Sequence, residues 1–153
     1  MHQECVFGSF SAMQARIAGE LLPRMALAFG VEEDHLSVAE MFIAKYEYAP
    51  GKQNKLDAHQ DGTPFSFVIT LNQPDDEFAG GGTRFVDEDN GNGVIYRPSQ
   101  AGSAITFFGK KMHEGVAVTG GVRYILTGFC EYDSEDGSHP SFMANYDRRW
   151  DGE

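Results

Sequence analysis

The sequence predicts a mainly β domain, a double-stranded β-helix or jelly roll, with one N-terminal helix packed on an outer face. Three observations carry this. From Ser37 onward, short runs rich in Val, Ile, Phe, Tyr and Thr alternate with Gly, Pro, Asn and Asp, the texture of strands joined by turns. Eight such runs at close spacing suit two antiparallel sheets folded over one another. Helical periodicity is confined to residues 11–29. A chain of 153 residues is long enough for one domain with its own core. That domain is expected over 1–132, followed by a polar C-terminal extension over 133–153 whose large apolar anchors are Tyr146 and Trp150.

The helix is read from Ser11-Ala-Met-Gln14, which has capping-box spacing, and from Met13, Ile17, Leu21 and Met25 at fourfold spacing. Pro23 should kink or split it, because proline lacks the backbone donor and its ring collides with the carbonyl four residues back. Gly30 suits the left-handed position that ends it. Strands are expected near 38–48, 56–61, 64–71, 83–86, 93–97, 103–108, 114–119 and 122–132. Gly80-Gly-Gly82 is a turn between strands; as a phosphate cradle it fails, since no helix follows it.

Composition narrows the function. With 41% hydrophobic and 12% aromatic residues the chain is globular. A formal charge of −11 argues against nucleic acid or an anionic membrane as partner, since both demand clustered Lys and Arg. No run approaches the ~18 apolar residues of a membrane span, and no signal-peptide pattern opens the chain. The compartment stays undetermined, because the chain could be a fragment of a longer protein. The acidic runs Glu32-Glu33-Asp34, Asp75-Asp76-Glu77 and Asp87-Glu88-Asp89 read as solvated loops, with attraction of a basic peptide as the alternative. Cys5 and Cys130 are too few for a disulfide framework.

The chemistry is carried by His59-Gln60-Asp61, then His113, then Arg123. Two imidazoles and one carboxylate can occupy one face of an octahedral ferrous ion and leave three positions for a co-substrate and O2. A guanidinium nearby can grip a carboxylate through two parallel N–H···O bonds. The triplet alone is a weak signal. Strand context strengthens it: His59 and Asp61 precede the apolar run 65–71, and His113 lies between the apolar runs 104–108 and 124–129. Along the last long strand, Arg123, Ile125 and Thr127 share a face, so an inward Arg123 brings Thr127 with it. Strand parity also turns Thr70 inward as a second hydroxyl for the carboxylate, unless it is simply a strand former. Tyr46 and Tyr48 share a face of the strand leading to the metal, and a buried phenol needs a partner. His2, His35 and His139 lack such neighbours and read as surface residues. Two rival readings remain open: a cupin-like metal protein using no 2-oxo acid, and a non-catalytic jelly-roll binding module. Arg123 argues against both, since neither needs a buried guanidinium ten residues beyond the distal His.

Taken together, Tyr48-Ala-Pro-Gly51, His59-Gln-Asp61, Ile69-Thr-Leu-Asn72, Phe78-Ala-Gly-Gly-Gly-Thr-Arg-Phe85, Pro98 to Gly102 and His113-Glu-Gly115 through Gly121-Val-Arg-Tyr124 resemble the catalytic domain of prolyl 4-hydroxylases and lysyl hydroxylases. The resemblance covers about residues 38–131. It implies a 2-oxoglutarate- and Fe(II)-dependent dioxygenase that hydroxylates a peptidyl proline or lysine, converting 2-oxoglutarate and O2 to succinate and CO2, with L-ascorbate as reductant. It further implies His59, Asp61 and His113 as iron ligands, Arg123 as partner of the distal carboxylate of 2-oxoglutarate, and Thr70 and Tyr48 as co-substrate contacts. The substrate is expected to be a peptide or protein, with a small molecule as the alternative. The Gly-Gly-Gly-Thr and His-Glu-Gly segments are closer to lysyl hydroxylases, and Arg123 stands where collagen-type prolyl hydroxylases usually have Lys.

Overall fold

In the computed structural model, residues 11–87 and 91–133 are described. They divide into two compact units: Val38–Glu131, which holds almost all the strands, and the segments on either side of it, up to Ser37 and from Tyr132.

The flanking unit contains the helical stretch, already under way at residue 11. Pro23 is accommodated by a π turn, Ile17–Leu21, in which the Leu22 N–H bonds to the Ile17 carbonyl before the α-helix α1 (Leu22–Phe29) begins. The widened turn keeps the proline ring off the carbonyl it would strike in a regular helix. Gly30 ends α1 at φ 68°, as its sequence position predicts. His35 corrects its expected surface role: it is half-buried, with its ring 5.7 Å from that of Tyr132, and its backbone carbonyl accepts the Asp133 N–H. His2, His139 and the expected polar extension beyond residue 133 lie outside the described residues.

Nine strands follow: β1 (Leu36–Glu47), β2 (Leu56–His59), β3 (Phe65–Thr70), β4 (Phe78–Gly80), β5 (Thr83–Val86), β6 (Gly93–Tyr96), β7 (Ala104–Phe108), β8 (His113–Gly115) and β9 (Val118–Tyr132). They form a five-stranded sheet, β1-β9-β3-β7 with β4 also on β9, and a four-stranded sheet, β2-β8-β5-β6. The described pairings between strands are antiparallel. This is the jelly roll the turn-rich texture predicts. Two details depart from the expectation. The run 114–119 is not one strand: β8 stops at Gly115, and Val118 already belongs to β9. β4 was not expected, because three residues are too short to show a period.

The core of this unit is Tyr46, Val68, Phe78, Phe107, Val118 and Ile125, with Phe85 of the smaller sheet packed against it. The opposite face of β3 is buried as well: Phe67 lies across Gly128 on β9, where no side chain competes for the space. The burial of both faces explains why β3 reads as a continuous apolar run and not as an alternating one.

Candidate metal and co-substrate site

His59 ends β2 and His113 begins β8, and the two stand directly opposite each other in the ladder. Their rings are 4.4 Å apart. Asp61 lies two residues beyond His59, held by its N–H to the Gly109 carbonyl (2.7 Å). Its carboxylate reaches both rings: His59 Nε2 to Asp61 Oδ1 is 3.4 Å, and His113 Nε2 to Asp61 Oδ2 is 3.5 Å. Octahedral bonds of about 2.1 Å at right angles put neighbouring ligand atoms about 3 Å apart, so modest contraction around an ion closes the set. Candidate ligand atoms of all three residues lie within 4.8 Å of one another.

The protonation pattern suits a metal. The Nδ1 atoms of His59 and His113 face the carbonyls of Asp57 (2.8 Å) and Lys111 (2.7 Å). A carbonyl can only accept, so each Nδ1 carries a proton, and a neutral ring then presents its Nε2 lone pair to the site. Burial lowers the pKa of His113, against the Lys111 carbonyl and the Asp61 charge, which favour its protonated form. A set of two imidazoles and one carboxylate fits Fe(II) with open positions.

Beside the triad opens a cleft that His59, Asp61 and His113 share with Arg123. Arg123, Ile125 and Thr127 line it from alternate positions of β9, as their parity predicts. Arg123 is 2% exposed, its Nη1 donates to the Gly82 carbonyl (3.0 Å), and its Nε is buried without a partner. Burial lowers the guanidinium pKa, opposed by the Tyr46 phenol, whose ring lies 5.9 Å from Arg123 Cζ. A buried donor without an acceptor is costly, and an incoming carboxylate would remove that cost. Thr127 also lines the cleft, while its hydroxyl donates to the Phe67 carbonyl (3.4 Å).

Two expected contacts are placed elsewhere. Tyr48 is 61% exposed and does not line the cleft; Tyr46, two residues earlier, is buried and does. β1 ends at Glu47, and the Ala49–Lys52 turn carries Tyr48 off the strand's inner face. Thr70 is buried at the end of β3 but does not line the cleft, where Val68 of the same face does.

Some contributors were missed by the sequence reading. Gly81 and Gly82, at φ 69° and 111°, pass close enough to touch and hydrogen-bond Arg123, and a Cβ on Gly81 would lie 3.1 Å from Arg123 Cδ. The glycine run thus makes room for the guanidinium as well as a turn. Asn72 takes over where β3 ends, donating to Val122 O (2.8 Å) and accepting from Tyr124 N (2.9 Å), which brackets the Arg123 backbone. Ser66 Oγ donates to Asp61 Oδ2 (2.5 Å) at full burial.

Comparison with known proteins bears directly on this arrangement. Residues 41–131 match the family model of the 2OG-Fe(II) oxygenase superfamily, more than half of the chain. The chain belongs to that superfamily. Among curated relatives, a multifunctional procollagen lysine hydroxylase and glycosyltransferase of Caenorhabditis elegans is 34% identical over 91 residues, 58% of this chain and 12% of that protein. Human procollagen-lysine,2-oxoglutarate 5-dioxygenase 2 is 34% identical over 92 residues, 59% of this chain and 12% of that protein. The chain matches only about an eighth of the length of these relatives. A solved 2OG-Fe(II) oxygenase family oxidoreductase from Burkholderia pseudomallei superposes with TM-score 0.64 at 16% identity, over 85% of this chain and 60% of that one, which shows the shared fold. His59, Asp61, His113 and Arg123 all lie within the stretch that matches the superfamily. Among the described residues, no helix is long and apolar enough to cross a membrane.

Proposed function

We propose that this dioxygenase hydroxylates a side chain carried on a peptide, lysine in preference to proline, with small-molecule acceptors as the alternative. The observation that carries the co-substrate part is the unpartnered, buried Nε of Arg123 in a cleft shared with His59, Asp61 and His113. The relatives that are lysine hydroxylases by name support the acceptor.

In this reading His59, Asp61 and His113 hold Fe(II), and Arg123 grips the distal carboxylate of 2-oxoglutarate, with Thr127 and Tyr46 lining the same cleft. Thr70 and Tyr48, expected contacts by resemblance, have no part in it as placed. Bound iron would supply the redox chemistry, O2-dependent conversion of 2-oxoglutarate to succinate and CO2 coupled to insertion of one oxygen atom into a C–H bond, with L-ascorbate as reductant. The chain's own contribution is geometric. The Nδ1–H···O=C bonds fix both imidazoles, the buried guanidinium orients the co-substrate, and the apolar walls Val68 and Ile125 limit water. The Asp75-Asp76-Glu77 loop would favour a basic peptide through long-range attraction, which is screened beyond about 8–10 Å at physiological salt. The matching run Asp87-Glu88-Asp89 has only Asp87 within the described residues.

The test is incubation with Fe(II), 2-oxoglutarate, ascorbate and air against lysyl and prolyl peptides, followed by mass spectrometry of the peptides and quantification of succinate. One added oxygen on a lysyl peptide, in step with succinate, is the expected result. Succinate formation with no modified peptide of either kind would remove the peptide substrate, and no succinate at all would remove the co-substrate assignment.

A further inference from the structure

We propose that Ser66 is a positioning residue that holds the Asp61 carboxylate in its metal-binding orientation, an inference resting on the reading of His59, Asp61 and His113 as the iron site. Ser66 is fully buried on β3 in the five-stranded sheet, whereas Asp61 follows β2 of the four-stranded sheet. The hydroxyl hydrogen bond to Asp61 Oδ2 therefore ties the two sheets together at the metal position. At 2.5 Å it is at the short end for O–H···O⁻, the charge-assisted kind.

Asp61 has little freedom elsewhere. Its N–H is tied to Gly109, whose own N–H bonds to the Pro64 carbonyl, so the 61–64 loop is fastened at both ends. Within that loop the carboxylate still has its side-chain rotation. Unrestrained, it would spend part of its time turned away from the two imidazoles, which weakens its bond to an ion held between them. The Ser66 hydroxyl holds the rotation in which Oδ1 lies 3.4 Å from His59 Nε2 and Oδ2 3.5 Å from His113 Nε2. Removing such a partner typically lowers metal affinity by about 10–100-fold. A serine that merely fills space would show no such effect, since alanine is close to it in volume.

The experiment needs neither substrate nor turnover. Mn(II) is titrated into metal-free protein and the free ion is quantified by electron paramagnetic resonance, with thermal unfolding of the metal-free protein as a check on folding. Ser66→Ala should weaken Mn(II) binding about 10–100-fold. Ser66→Thr, which keeps the hydroxyl, should bind like wild type, and the isosteric Ser66→Val should not. The Thr and Val pair decides the matter if the Ala variant does not fold. Wild-type affinity in Ser66→Ala, or equal affinity in the Thr and Val variants, would overturn the proposal while leaving the iron site standing. Wild-type protein that binds no Mn(II), or His113→Ala protein that binds it normally, would overturn the site itself.

Discussion

Replacing Arg123 with alanine should raise the 2-oxoglutarate requirement far more than it changes metal affinity. The guanidinium is 2% exposed, and among the described residues its Nη1 donates to the Gly82 carbonyl. Its Nε points nowhere useful until a ligand arrives. A distal carboxylate docking there would be removed from water and repaid by two charge-assisted hydrogen bonds. In the alanine variant the same carboxylate would be buried with no charge opposite it. Breaking such a pair costs about 2–5 kcal/mol, and at about 1.4 kcal/mol per factor of ten this is a 30-fold to several-thousand-fold rise. Arg123→Lys should recover part of the loss, because an ammonium supplies the charge without the fork. Arg123 is buried and bonded to the Gly82 carbonyl, so circular dichroism must first show that the variants fold. The assay is succinate release against 2-oxoglutarate concentration, beside Mn(II) affinity measured without co-substrate. An unchanged 2-oxoglutarate dependence in Arg123→Ala would show that another residue holds the carboxylate and would refute the reasoning.

His59→Ala, Asp61→Ala and His113→Ala should each abolish the visible charge-transfer band on anaerobic addition of Fe(II) and 2-oxoglutarate, since each removes one of three protein ligands; a normal band in all three would dismiss the site. Gly128→Ala should destabilise the fold by roughly 1–3 kcal/mol in urea titration, because its Cβ would overlap the fully buried Phe67 ring, and a wild-type midpoint would contradict that packing. Burial pushes the Cys130 thiol from its ordinary value of 9.0 up to about 12. The unfolded chain therefore gives up this proton first, and stability should fall as pH rises from 9 towards 12, a trend that Cys130→Ala should blunt; in the native state at pH 8 the thiol should resist alkylation.

Sequence alone determined the architecture and which residues gather at the cleft. Turn residues at short intervals between β-rich runs are local signals, and they placed eight of the nine strands. The site was legible because its residues are rare types in a telling order, and the period of two placed Arg123, Ile125 and Thr127 on one face before any contact was known. Pro23 and Gly30 likewise state their backbone requirements in their own covalent structure. What only the tertiary structure decided were matters of a single strand end or a distant neighbour. Parity put Tyr46 and Tyr48 together, but parity holds only while the strand lasts, and β1 ends between them. Thr70 was turned correctly inward, yet how far the cleft extends along β3 is set by what packs opposite, which no local pattern encodes. Gly81, Gly82, Asn72 and Ser66 act through partners 5 to 52 positions away in the chain. Such contacts leave no mark in either residue's neighbourhood, because they exist only once separate stretches of the chain have come together at the site.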